Sequence, residues 1–177
     1  AHVVFLDESG FLLIPNVAKT WAPVGKTPLL WHSYKRDKIS AISGVTVSPS
    51  RRRLGLYIQF HTTNIAGQEV LAFLRHLLRH LRGNVELLWD GGSIHRRKDV
   101  QAYLGHQTRL RAHRFPGYAP QLNPDEFVWT KAKHDLSNSS PKDIHELGTT
   151  LRRSIRRIKS SQRLLWSCIE ASELPWT

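Results

Sequence analysis

The chain has no methionine, not even at position 1, and a single cysteine, Cys168, among its 177 residues. One cysteine excludes an intrachain disulfide and a zinc cluster built on cysteines. It fits a reducing, cytoplasmic setting, and Cys168 reads as a small hydrophobe rather than a nucleophile. A chain that does not open on methionine is expected to be a piece of a longer protein, with a further domain upstream. Long apolar runs are missing too. None approaches a membrane span, and VVFL at the start is too short, without a basic flank, for a signal peptide. Acids are scarce: 14 Asp and Glu stand against 26 Lys and Arg, a formal net charge of +12. That excess suits a polyanion such as nucleic acid and says nothing about chemistry. No internal repeat or low-complexity tract is visible.

What is present suffices for one domain, residues 1–177, with a core of its own. Residues 3–7 and 11–14, divided by Glu8-Ser9-Gly10, read as a hairpin. Residues 15–38 are mixed, punctuated by Pro15, Pro23, Gly25 and Pro28, and carry Trp21 and Trp31. Two further strands are predicted over 38–48 and 54–60, joined by a basic turn containing Arg51, Arg52 and Arg53. The period then changes. Val70, Leu71, Leu74, Leu77, Leu78 and Leu81 recur at helical spacing, which predicts an amphipathic helix ending at Gly83. The short run VELLW reads as a buried strand, 95–106 as a helix and 109–114 as a strand.

A proline-rich loop, FPGYAPQLNPDE, leads into a helix through Trp129, Lys131 and Lys133. Ser140, Pro141 and Asp143 fit the N-cap, N1 and N3 positions of the next helix. Its apolar stripe is Ile144, Leu147, Leu151, Ile155 and Ile158, and a last helix runs to about Ser172. Strands first, then strands alternating with helices, imply an α/β fold: a mixed sheet with antiparallel first strands, flanked by helices.

Two apolar strands end in aspartates, Asp7 and Asp90, and Glu126 opens a helix. Gathered carboxylates repel one another and do not serve stability. They become tolerable around hard divalent cations, Mg²⁺ or Mn²⁺, which two-metal phosphodiester chemistry uses. Each acid also has a plainer reading. Asp7 and Asp90 could be turn residues, before Ser9-Gly10 and Gly91-Gly92. Asn123, Pro124 and Glu126 fit N-cap, N1 and N3, so Glu126 could complete a capping box. Asp125 is expected to be a first-turn acid on the helix dipole. Glu8 should face away from Asp7. His95, five residues past Asp90, could approach a scissile phosphate or start a helix. Trp89 and Trp129 read as core.

FLDESGF, LLWDGGSIH and YAPQLNPDEFVW resemble the three catalytic blocks of mariner-like superfamily transposases, most nearly the bacterial insertion-sequence branch. Between Asp90 and Glu126 lie 35 residues, the spacing of the Asp-Asp-35-Glu pattern. TWAPVGKTP resembles the stretch after the first aspartate in that branch, and the likeness runs from about residue 3 to residue 134. It implies a ribonuclease-H-like fold with Asp7, Asp90 and Glu126 holding two Mg²⁺ or Mn²⁺ ions, Asp7 bridging both. It implies hydrolysis at transposon ends and transfer of the 3′-hydroxyl strand into target DNA, usually at TA, by an enzyme acting as a dimer near the nucleoid. Such enzymes also carry an N-terminal helix-turn-helix region, which is expected to lie outside this chain. The rivals are another ribonuclease-H-like nuclease and a DNA-binding relative without catalysis. Candidate phosphate contacts are Arg51, Arg52, Arg53, Arg152, Arg153, Arg156 and Arg157.

Overall fold

The computed structural model describes residues 1–14, 17–30 and 35–175. Pro15 and Trp31, noted above, lie outside the described residues. Five strands form one sheet: β1 (His2–Leu12), β2 (Lys38–Val47), β3 (Leu54–His61), β4 (Val85–Trp89) and β5 (Leu110–Arg114). The helices are α1 (Gly67–His80), α2 (Lys98–Gly105), α3 (Pro124–Leu136), α4 (Ile144–Lys159) and α5 (Gln162–Ala171). The strand order is β3-β2-β1-β4-β5. β1 to β3 pair antiparallel, and β4 and β5 add in parallel with β1. This is the mixed ribonuclease-H-like sheet that the sequence implied.

Alternation along β1 divides the core in two. Phe5 and Phe11 face α3, α4 and α5, together with Trp129, Leu147, Leu151, Ile155 and Cys168. Val4 and Leu6 face α1 and α2, with Phe73, Leu74, Leu77 and Trp89. Each such side chain, fully buried, contributes about 1.5–3 kcal/mol. Trp89 and Trp129 are core residues, both 1% exposed. Burial also pushes the Cys168 thiol up to about 11, which leaves it a hydrophobe at neutral pH.

Three local expectations are corrected. Glu8-Ser9-Gly10 is not a hairpin turn. β1 runs straight through it, with Glu8 opposite Ile42, Ser9 opposite Ala41 and Gly10 opposite Ser40. A ten-residue partner strand outweighs the turn preference of Ser and Gly. α1 stops at His80 rather than Gly83, and the Arg109 guanidinium donates to the carbonyls of Leu78, Leu81 and Gly83. α4 starts one turn later than predicted, with Asp143 and not Ser140 as its N-cap. Asp143 Oδ1 accepts from the Glu146 amide at 2.8 Å, and Glu146 Oε2 accepts from the Lys142 amide at 2.8 Å.

Candidate active site

β1 outruns its parallel neighbour. The last β1–β4 pair is Phe5 with Leu88, so Asp7 stands just past the end of β4. There the chain after Trp89 turns away through Asp90 and Gly91, the latter with φ +70°. A cavity of about 560 Å³ opens at this point, lined by Asp7, Asp90, Gly91, Arg96, Tyr118 and Glu126, among others. It lies at the carboxyl ends of parallel strands, the usual crevice of open α/β sheets.

Asp7 shares its face of the sheet with Phe5 and looks toward α3, and it is 9% exposed. Its Oδ2 is buried and accepts no hydrogen bond. Burial, then the charges of Glu126, Glu8 and Asp90, push its carboxyl up from 3.8 to about 8. Being paired within a strand, Asp7 has no turn role. Asp90 is more open. Its Oδ1 accepts from the Gly92 amide at 2.7 Å, so the predicted turn chemistry is present at one of its oxygens.

Glu126 arrives on α3. Asn123 caps that helix, its Oδ1 accepting from the Asp125 amide at 3.1 Å, while its Nδ2 donates to the Leu6 carbonyl at 3.2 Å. One side chain thus starts the helix and fastens it beside Asp7. Glu126 completes no capping box: the Asn123 amide donates to the Pro120 carbonyl instead. Its carboxylate is left to the cavity wall.

Asp125 overturns the expectation of a surface dipole acid. It is wholly buried, and both its carboxyl oxygens lie at 2.7–2.8 Å from Ser43 Oγ. Ser43 is the cross-strand partner of Asp7. Burial, then the proximity of Asp7, raises the Asp125 carboxyl well above its ordinary range. Ser43 is 82 residues away in sequence, so no local pattern could have revealed the pair.

Glu8 faces away from Asp7, as alternation requires. Its Oε1 lies 2.9 Å from His95 Nε2, and His95 Nδ1 lies 2.9 Å from Asp90 Oδ1. The second contact is off-line, and that nitrogen makes no hydrogen bond. His95 is buried and stacks on Trp89 at 4.2 Å between centroids. It precedes α2, which begins at Lys98 rather than at residue 95. His95 is therefore a wedge between β1 and the Asp90 loop, not a lining residue of the cavity.

The arginines fall elsewhere. Arg51, Arg52 and Arg53 sit in the β2–β3 turn, beyond the Val3–Val47 pair, away from Asp7 in mid-strand. Arg152, Arg153 and Arg156 are exposed along α4. Arg157 is paired with Asp135 at 2.6 Å. Two basic residues stand by the acids: Arg96, on the cavity wall, and Arg114, whose side chain packs over Gly91.

Among the described residues, no three His, Cys, Asp or Glu side chains are drawn together tightly enough to form a ready metal cage. The three acids share one cavity without being clustered. The buried, unpartnered Oδ2 of Asp7 is nonetheless what an oxygen ligand awaiting a hard cation looks like, and three further carboxylates raise its proton affinity. The donor set therefore fits a divalent ion.

A mixed five-stranded sheet, with Asp7 in mid-β1 level with the end of β4 and Asp90 just past β4, defines a ribonuclease-H-like domain. The chain belongs to the DDE superfamily endonucleases, whose family profile matches residues 2–148. Among solved structures it is similar to a Mos1 transposase paired-end complex with left transposon end, at 17% identity and TM-score 0.67, over 95% of this chain and 51% of that one. It is also similar to the catalytic domain of Mos1 mariner transposase, at 13% identity and TM-score 0.54, over 99% and 84%. A third likeness is to a simian T-cell lymphotropic virus intasome bound to the PP2A regulatory subunit B56 gamma, at 14% identity and TM-score 0.56, over 99% and 56%. At these identities the likeness is one of fold. The chain spans about half the length of the first of these transposase chains. No curated protein matches it in sequence. Among the described residues, no helix is long and apolar enough to cross a membrane.

Proposed function

We propose that this domain is the catalytic part of a DNA transposase, cutting phosphodiester bonds at transposon ends and passing the 3′-hydroxyl strand into target DNA at TA. The observation that carries the proposal is Asp7: a buried carboxylate with an orphaned oxygen, on a cavity wall shared with Asp90 and Glu126. In this reading Asp7, Asp90 and Glu126 would hold the Mg²⁺ or Mn²⁺ ions. The Mos1 structures obtained with Mn support the choice of a divalent ion in that relative. When bound, such ions lower the pKa of an attacking hydroxyl and neutralise charge on a phosphate.

The protein's own part is placement. Ser43 and Asp125 pack beneath Asp7, His95 braces the Asp90 loop, and Asn123 sets the height of Glu126. Arg96 and Arg114 attract the phosphate to the mouth. The net charge of +12 supplies non-specific grip on duplex DNA. Two copies acting on paired ends, in a cytoplasmic nucleoid, complete the proposal; the paired-end complexes of Mos1 support the first part.

The test is nicking of supercoiled plasmid with Mn²⁺, beside an RNA–DNA hybrid substrate. Metal-dependent DNA nicking lost in Asp7→Asn, Asp90→Asn and Glu126→Gln is the expected result. Cleavage of the hybrid alone would replace the transposase reading with a hybrid-specific nuclease.

A further inference from the structure

The loop between β5 and α3 holds a residue that the chemistry above does not use. Tyr118 lies on the wall of the acidic cavity. Its exposure is 105%, that of a side chain touching nothing. Among the described residues its ring and hydroxyl have no partner. Its backbone is also in the left-handed region, at φ +57°. A bulky aromatic residue is rare there, and Gly or Asn would hold the position without strain. Gly117 precedes it, so a glycine one residue later would have met the same need. Pro116 and Pro120 stiffen the loop on both sides. Phe115 anchors its start, donating its amide to the Trp89 carbonyl at 2.9 Å. The protein thus keeps a large apolar ring in water, on a strained and rigid perch, beside its carboxylates.

We infer that Tyr118 is a stacking platform for an unpaired nucleobase next to the scissile phosphate. This rests on the proposal that the cavity binds DNA. An exposed ring with two free faces suits a base, because every base has a π-face and stacking needs no sequence. The cavity's acids cannot bind a base by charge, and Arg96 and Arg114 address phosphate. Tyr118 supplies what is left: an apolar surface that holds a nucleotide splayed from its duplex, so that the backbone bends toward Asp7 and Asp90. Tyr118 is a positioning residue in this scheme and takes no part in proton transfer.

The experiment uses a duplex with a short single-stranded end carrying 2-aminopurine, in Ca²⁺ buffer, titrated with the wild-type chain and with Tyr118→Ala, Tyr118→Phe and Tyr118→Trp. Stacking quenches the probe. Wild type, Phe and Trp variants are expected to quench it alike. Tyr118→Ala is expected to lose the quench and bind about ten-fold more weakly, with an unchanged salt slope, since no charge is removed. Its melting temperature should match the wild type, because the ring packs on nothing. Equal quenching and affinity in Tyr118→Ala would overturn the inference, as would a loss of binding accompanied by a lower melting temperature or by equal loss in the Phe variant. Plasmid nicking with Mn²⁺ separates the two readings. A wild type that quenches but never nicks keeps the platform and sinks the transposase chemistry. A wild type that nicks, with Tyr118→Ala unaltered in quench, does the reverse.

Discussion

Replacing Asp7 by Asn should make the metal-free domain more stable while abolishing its chemistry. The folded Asp7 carboxyl is pushed up to about 8 from 3.8, first by burial and then by Glu126, Glu8 and Asp90. Between those two values the native state keeps a proton that the unfolded chain gives up. Unfolding then releases a proton, so stability falls as pH rises, by about 1.4 kcal/mol per pH unit at most. From pH 4 to pH 7 the penalty reaches a ceiling of about 4 kcal/mol. Asn carries no such penalty, but its amide brings a buried donor without a partner, which costs about 1–3 kcal/mol. The net expectation for Asp7→Asn is a gain of about 1–3 kcal/mol at pH 7, or a melting temperature raised by about 5 °C for a chain of this size. The gain should shrink toward pH 4. Asp7 is one cause of the raised Asp125 carboxyl, so the difference between the two proteins reports Asp7 together with its coupling to Asp125. The assay is thermal and urea unfolding in EDTA at pH 4, 5, 6 and 7, repeated with millimolar Mn²⁺. The cation should stabilise the wild type through binding to the native state alone and leave the variant unmoved. Equal stabilities at pH 7, or an advantage that grows as pH falls, would refute the reasoning.

Glu126→Gln should lower Mn²⁺-dependent nicking by orders of magnitude with little change in melting temperature, since Glu126 makes no capping bond. Ser43→Ala should destabilise the fold by about 1–3 kcal/mol in urea titrations, because it leaves the buried Asp125 carboxyl without its hydroxyl partner. Joint replacement of Arg152, Arg153 and Arg156 by Ala should flatten the salt dependence of duplex binding. Arg157→Ala should hardly change that slope, because its guanidinium is engaged by Asp135; a larger effect from Arg157 than from the other three would reverse the assignment.

Much of this was legible in the sequence because it is periodic. The apolar stripes of α1 and α4, the short buried β4 and the capping asparagine before α3 depend on neighbours within a few residues. Alternation alone put Asp7 and Glu8 on opposite faces. The misreadings share a different cause. Ser9 and Gly10 look like a turn until β2, nearly thirty residues later, claims their backbone. Asp125 looks like a surface acid until Ser43 covers it. Ser140-Pro141 looks like a helix start until Asp143 and Glu146 make a better one. Arg96, Arg114 and Tyr118 carried no signal, because only the folded loops bring them to the cavity. In each case a partner distant in sequence, or a competing local bond, outweighed a short-range preference.

The two bonds of Asn123 have a consequence for the chain as it is made. Leu6 leaves the ribosome early, and the side chain that fastens α3 to it follows 117 residues later. At about 5–20 residues per second, Asp7 and then Asp90 exist for several seconds before Glu126 is seated. A nascent or prematurely terminated chain ending before Asn123 thus has the strands without the third acid. Under the proposed function any such fragment cannot cut, and it also lacks α3, α4 and α5, which cover one face of the sheet, so cutting begins only after the chain beyond Asn123 has been made.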